Sequence, residues 1–338
     1  MKKQKQNQWT SRCWTACAGG LATGVCLALA GCVSCKTGDD PVMGNWSADL
    51  PYESGRAGSF IFSRGVDGVP KAVVLYRWAS PVEVKDLVVD GNRFAFNHPY
   101  GYRYEGVVLG DRMIARLAPR DGKTGRLKEA WLPFRGWRNP EPEEGVRTED
   151  ARLGEPIDLL KDGLDGWETM NPKAKFGWRF KDGVLSSQLG EPPKGSWTNG
   201  GANIRTKRAD FFDFNLEYDV RVPKGANSGV YLRGRFECQV VDSYGQKPDC
   251  HSMGAYYGRV APRVAAEKPA GEWQHVSVTI YKGRITTWLN GVKIIDNAKL
   301  VGVTGGAIDA DLYKTGPIYL QGDHSDADYR NMILRPAL

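Results

Sequence analysis

Residues 237–242 read Glu-Cys-Gln-Val-Val-Asp, which places an acid, an amide and a second acid within one short stretch. Side chains alternate along a strand, so Glu237 and Gln239 share one face while Cys238 and Val240 take the other. Carrying the alternation backwards adds Arg233 and Arg235 to the Glu237 face and puts Gly234 and Phe236 opposite. Asp242 has the other parity, but it stands at the strand's end, where a bulge or turn can swing it inwards. Carboxylate, amide and guanidinium together supply directional acceptors and donors suited to sugar hydroxyls. Alternatively, Glu237 and Asp242 form the acid and nucleophile of an ordinary glycosidase, which need carboxyl groups about 5–5.5 Å apart in a retaining enzyme. A solvated sheet face would show the same letters, so alternation alone leaves all of these open.

The other candidates are few. His98 stands alone and reads as structural; His251, His275 and His324 lie further on. In "EWQHVSV", alternation puts His275 with Trp273 and Ser277, a structural setting. His251 follows Asp242 in a loop, either to close over a site or simply to meet solvent. His324 lies among acids in "LQGDHSDADYRN" and is a candidate for ligand or acid–base work. In Asn227-Ser228-Gly229 the glycine permits a bulge or a close approach, with Asn227 capping a turn. Trp178, Trp197, Tyr256 and Tyr257 could each stack on a sugar ring, although core packing is the usual task of any one of them. Arg330 and Asn331 read as a lock for the last strand.

These side chains need strands to hold them. The chain has 338 residues, room for two domains. Its 41 Gly and 19 Pro, with little helical periodicity, point to an all-β protein. Residues 44–138 alternate in runs such as "GSFIFSRG" and "YRYEGVVLGDRMIARLA", with tight turns at Asp90-Gly91-Asn92 and Gly110-Asp111. They predict a small antiparallel β barrel or sandwich of unreadable function. The Pro- and Glu-rich residues 139–156 read as a linker. Residues 157–338 alternate throughout, as in "FNLEYDVRVP" and "SGVYLRGRFECQVVD", which implies two packed sheets, a jelly roll. The net charge of +7 is scattered, with no basic run, which argues against nucleic acid as a partner.

Five of the seven cysteines fall in the first 35 residues. There a basic start, "MKKQKQNQWTSR", precedes the apolar run "CWTACAGGLATGVCLALAG", the layout of an export signal over residues 1–32. Leu29-Ala30-Gly31-Cys32 looks like a bacterial lipobox, so Cys32 is expected to be lipidated and to anchor the chain to a membrane, facing the periplasm or the cell surface. An ordinary signal peptide or a single membrane-spanning helix is the other reading. Residues 33–43 then form a tether. Export would allow a disulfide between Cys238 and Cys250; two free buried thiols are the alternative.

From about Leu159 onwards the chain resembles the 3-keto-disaccharide hydrolase family, once known only as a domain of unknown function. "LLKDGLDGW", "WRFKDGVL", "DFFDFNLEYDVRVPKGANSGVYLRGRFECQVVDSYG", "MGAYYGRVAP", "KPAGEWQHVSVTI", "LNGVKI" and "GPIYLQGDHSDADYRNMILRPAL" carry the resemblance in order. His324-Ser325 departs from the family's His-Gly, and Cys238 and Cys250 lie outside its pattern. The N-terminal β domain also lies outside the resemblance.

The resemblance implies a concanavalin-like jelly roll with a sugar site on its concave face. It also implies cleavage of 3-keto-glycosides: a base removes the C2 proton that the C3 ketone acidifies, the aglycone leaves, and water adds. It makes Glu237, Asp242 and His324 the catalytic candidates. Asn227, Arg233, Gln239 and Tyr257 become the substrate-binding ones. Glu237, Asp242 and His324 are also candidate ligands for a divalent metal ion that would stabilise the enediolate oxygen. No organic cofactor is expected. A non-catalytic carbohydrate-binding surface lipoprotein and an ordinary two-carboxylate glycosidase remain the alternatives. The oligomeric state is not legible.

Overall fold

The N-terminal alternation folds into nine antiparallel strands. In spatial order they are Val82–Val84, Pro70–Leu75, Ala57–Arg64, Gly44–Asp49, Leu132–Arg138, Arg112–Pro119, Tyr102–Leu109, Arg93–His98 and Val88–Asp90. The computed structural model describes residues 40–338 apart from 53, 54, 77, 78, 122 and 125. The export signal, Cys32 and most of the tether lie outside the described residues. The hairpins turn at Gly91 and Gly110, both with positive φ, between the paired ends Asp90↔Arg93 and Leu109↔Arg112. One face of this sheet collects Trp46, Phe60, Phe62, Phe96, Tyr104 and Phe134 into its own core. Phe60 stands at its centre, with aromatic rings 5.9–6.3 Å away.

The Pro- and Glu-rich connection is pinned rather than free. Its 3-10 turn, Thr148–Asp150, donates Thr148 N–H to Asn297 Oδ1 at 3.0 Å, and Glu149 pairs with Lys293 at 2.6 Å. The short turn Gly163–Gly166 is the other 3-10 element, and no α-helix occurs among the described residues.

The rest is a two-sheet sandwich. The larger sheet runs Trp178–Lys181, Val184–Ser187, Ala327–Pro336, Phe214–Arg221, Gln274–Tyr281, Arg284–Leu289 and Val292–Lys299, with Ile157–Asp158 added to Ala327–Pro336. The smaller runs Trp167–Thr169, Ile204–Thr206, Tyr319–Leu320, Asn227–Leu232 and Phe236–Val241. Leu216, Tyr218, Val220, Val276 and Val278 of one meet Ile204, Val230, Leu232, Phe236, Cys238, Val240 and Leu320 of the other in one core. The protein is all-β: a jelly-roll sandwich preceded by a curled antiparallel sheet.

One expectation needs correcting. "SGVYLRGRFECQVVD" is not a single strand but a hairpin, Asn227–Leu232 paired with Phe236–Val241. Arg233 and Gly234 form the turn, with φ of 55° and 67°. Alternation therefore breaks before residue 236, and Arg233 cannot be placed by counting back from Glu237.

The disulfide expectation is also corrected, since both cysteines are free thiols. Cys238 points into the sandwich core, where it accepts a hydrogen bond from the Tyr218 hydroxyl at 3.4 Å. Cys250 lies in a half-buried loop beside His251 Nδ1, 3.6 Å away.

Candidate active site

The other face of the smaller sheet, turned away from the sandwich core, is polar and largely buried. Strand parity puts Asn227, Gly229 and Tyr231 on it from one strand, and Glu237 and Gln239 from the next. Tyr319 and Gln321 follow by the same parity, as do Asn203 and Arg205 beyond them.

Glu237 is at the centre. It is 3% exposed, yet among the described residues it pairs with no cation. Its carboxyl lies directly over Gly229, where any Cβ would collide with Oε1. Gly229 is therefore required by close approach, because a side chain at this point of the strand would displace the carboxyl. Burial pushes the Glu237 pKa up to about 8, outweighing its contact with Tyr231, and repulsion from the Asp323 carboxylate adds to the rise. At neutral pH the group is mostly an uncharged acid. Tyr231 has one proton and lies 2.8 Å from the Gly305 carbonyl, which accepts it. The neutral Glu237 can then donate to the Tyr231 oxygen. Tyr231 stacks on Tyr319 with ring centroids 4.0 Å apart, and this fixes both phenols.

A second group lies beyond Tyr319. Asn203 Nδ2 donates to Tyr319 Oη and to Asp323 Oδ2, each at 3.3 Å. Asp323 Oδ1 lies 2.7 Å from His324 Nδ1. A carboxylate can only accept, so Nδ1 carries a proton, which leaves Nε2 as the nitrogen that can act as a base. Trp197, 68% exposed, meets the His324 ring edge-to-face at 5.8 Å. The result is a histidine in the loop after Tyr319–Leu320, oriented by Asp323 and joined through Asn203 and the stacked tyrosines to the buried carboxyl of Glu237.

The remaining expected residues divide. Gln239 donates to Asn227 Oδ1 at 3.2 Å, so these two share the Glu237 face. Asn227 N–H donates to Ser325 Oγ at 3.1 Å, and Ser325 Oγ donates to Glu191 at 3.3 Å. The serine that departs from the expected His-Gly thus braces the loop carrying His324. Tyr257 N–H donates to the Glu237 carbonyl at 3.0 Å, and burial raises the pKa of its phenol.

Asp242 and Arg233 are not in this group. Asp242 Oδ2 accepts the Gly225 N–H at 2.9 Å, and its own N–H donates to the Ala226 carbonyl. It closes the turn before Asn227, because the strand ends without the bulge that would swing its side chain inwards. Arg233 packs its guanidinium 4.8 Å from Phe212 and 4.9 Å from Phe236, a core-facing residue. Its turn backbone sends it to the side opposite Glu237. Arg235 is held by Asp309, with bonds of 2.6 and 2.5 Å, and also donates to the Arg233 carbonyl.

Elsewhere, His275 Nδ1, Arg330 Nε and Asn331 Nδ2 all converge on Asp219 at 2.8–3.1 Å, a structural knot on the larger sheet. Trp178 and Tyr256 are buried and donate to the Ala202 and Gly302 carbonyls. The trio Glu237, Asp242 and His324 is not gathered as ligands, because the Asp242 carboxylate is bound to a turn N–H. No cluster of three or more His, Cys, Asp or Glu suited to a metal ion occurs among the described residues. These residues therefore do not fit the expected divalent ion. Two clefts of about 350 and 370 Å³ lie elsewhere; neither is lined by Glu237 or His324.

Sequence reasoning missed Asp323, Tyr231, Tyr319 and Asn203. Ending the strand at Leu232 would have revealed Tyr231, which shares parity with Asn227 and Gly229. Tyr319 and Gln321 alternate in "PIYLQ", and Asp323 simply precedes His324.

The family model described as 3-keto-alpha-glucoside-1,2-lyase-like domain matches residues 156–335. Comparison with curated proteins gives no match. Among solved structures, a protein of Parabacteroides distasonis provisionally described as a glycosyl hydrolase is 22% identical, covering 59% of this chain and 100% of that one, with a TM-score of 0.43. A second from that organism, with the same description, is 21% identical over 59% of this chain and 100% of its own, at 0.42. SCLam, a non-specific endo-beta-1,3(4)-glucanase, is 12% identical over 58% and 94%, at 0.36.

Proposed function

Because the chain belongs, over residues 156–335, to the family of 3-keto-alpha-glucoside-1,2-lyase-like domains, we propose that it is a carbohydrate-active enzyme that cleaves 3-keto-glycosides. The observation that carries this reading is an Asp-oriented histidine joined through Asn203 and the stacked tyrosines to a buried, uncharged carboxyl. Elimination needs both a base and an acid near neutral pH, and this group offers one of each.

In the proposed sequence His324 Nε2 removes the C2 proton, and the bonding pair moves into an enediolate with the C3 oxygen. The pair returns to form the C1=C2 bond while the C1–O bond breaks, and Glu237 gives its proton to the leaving oxygen. Water then adds its oxygen to C1 and returns a proton to Glu237, and His324, its proton exchanged with solvent, protonates C2. The net change is hydrolysis, and both residues end as they began. Asp323 orients the imidazole and stabilises it when charged. Gln239, Asn227 and Tyr257 line the face that would hold sugar hydroxyls. No step passes through a metal ion.

The two-carboxylate alternative is weaker, since Asp242 is committed to the turn at Gly225. The activity is assigned to the cell envelope, through a lipid on Cys32. Labelled palmitate incorporated by the parent and lost in Cys32→Ala would support that anchor.

The test is aglycone release from 4-nitrophenyl 3-keto-glucoside and from its unoxidised counterpart, in deuterated water. Release from the keto substrate alone, with deuterium at C2 of the product, is expected. Equal release from both would overturn the elimination, and release from neither would leave a carbohydrate-binding protein.

A further inference from the structure

The N-terminal sheet reaches this face. Its loop Ala79-Ser80-Pro81 presses onto two glycines of the sandwich: a Cβ on Gly305 would lie 2.7 Å from the Ala79 backbone nitrogen, and one on Gly258 would lie 2.7 Å from Pro81 Cδ. Gly305 is the residue whose carbonyl holds the Tyr231 hydroxyl beside Glu237. Ala79 itself has φ of 60°, a left-handed conformation that costs a non-glycine residue about 1–2 kcal/mol, and so the docking must hold it. Ser80 Oγ lies 2.6 Å from His251 Nε2 and bonds the Tyr257 hydroxyl. The His251 and Tyr257 rings meet edge-to-face at 5.3 Å. The loop therefore walls the Glu237 end of the face through direct, tightly fitted contacts.

Next to that wall stands an aromatic group. Tyr76 has ring centroids of Tyr52, Tyr102 and Tyr100 at 5.6, 4.8 and 6.3 Å. Tyr100 is 52% exposed, and its phenol is near enough to Tyr257 to disfavour ionisation there. It sits on a short turn whose N–H donates to Nδ1 of the buried His98, so its position is fixed while its ring stays open.

We propose that Tyr100, with the Ala79–Pro81 wall, forms a subsite of the N-terminal domain for the leaving-group half of the substrate, and that this half is a ring with an apolar face, a second pyranose or an aromatic aglycone. The subsite rests on the reading of the Glu237 face as the place of cleavage. A tyrosine ring held rigid and half-open beside a polar sugar face is suited to stacking on such a ring, and sites form readily where domains meet.

The test compares the parent with Tyr100→Ala and Tyr100→Phe in the full chain. The kcat/KM ratio of a glucosyl or nitrophenyl 3-keto-glucoside to the methyl 3-keto-glucoside is expected to fall about tenfold in Tyr100→Ala and to be kept in Tyr100→Phe, as loss of one stacking contact implies. An unchanged ratio, or failure of Tyr100→Phe to restore it, would overturn the subsite. Titration calorimetry with unoxidised maltose and nitrophenyl glucoside separates the two proposals. Weaker ring binding in Tyr100→Ala supports the subsite even if the parent cleaves nothing. Equal binding to parent and variant refutes it, whatever the turnover.

Discussion

Gly229 lies diagonally across the hairpin from Glu237, whose carboxyl occupies the space that a side chain on Gly229 would need. Gly229→Ala should displace that carboxyl at a cost of about 1–3 kcal/mol, as overpacking does. Aglycone release should fall by more than the melting temperature suggests, because the acid is moved rather than removed. Parent-like turnover in a folded Gly229→Ala would detach Glu237 from the chemistry.

His324→Asn should lower kcat by about 10²–10⁴, the usual contribution of a positioned base. Asp323→Ala should cost less, since the ring keeps Nε2 but loses the partner that fixes Nδ1–H. Single-turnover rates check both, and the order of the two losses is the informative result.

Glu237 also makes stability depend on pH. Its folded pKa is about 8 against an ordinary 4.5, so folding takes up a proton between those values. The native state therefore loses stability as pH rises through that window. His98 acts in the opposite sense: burial lowers it from 6.5 to about 4, so its effect is lost stability as pH falls through that range. Above pH 6.5 only the first of these two groups is changing charge. Glu237→Gln should flatten the decline in melting temperature between about pH 6.5 and 8 relative to the parent. Parallel curves for the two proteins would mean that the carboxyl is ionised in the fold.

Asp242→Ala should keep turnover within about twofold of the parent and lose about 1 kcal/mol of stability, the worth of one turn hydrogen bond. A collapse of activity with an intact fold would restore Asp242 to the site and revive the two-carboxylate mechanism.

Asp309→Ala removes the partner that grips Arg235, whose side chain is 1% exposed. It should destabilise by about 3 kcal/mol, because a buried guanidinium is left without its counter-charge. Chemical denaturation reads this directly.

Legibility followed distance along the chain. Glu237 and Gln239 share a face because both lie within one regular strand, where parity is a local rule. Arg233 failed because two positive-φ residues end that regularity, and nothing in its letters says which of several glycines will turn the chain. Asp242 failed for the related reason that its fate depends on Gly225, brought to it by the hairpin. His324 stood out among its acids, but Asp323 became its partner only once the loop after Tyr319–Leu320 was placed.

The all-β class, the sandwich and its family are legible in the chain alone, because strand alternation and ordered motifs are written in neighbouring residues. That Glu237 is uncharged, that Tyr231 and Tyr319 stack beside it, and that the loop Ala79–Pro81 packs against Gly305 follow from packing. Each depends on burial and on contacts between segments far apart in the chain. A carboxyl's charge follows from the water it loses, and that loss is settled only when the sheets pack.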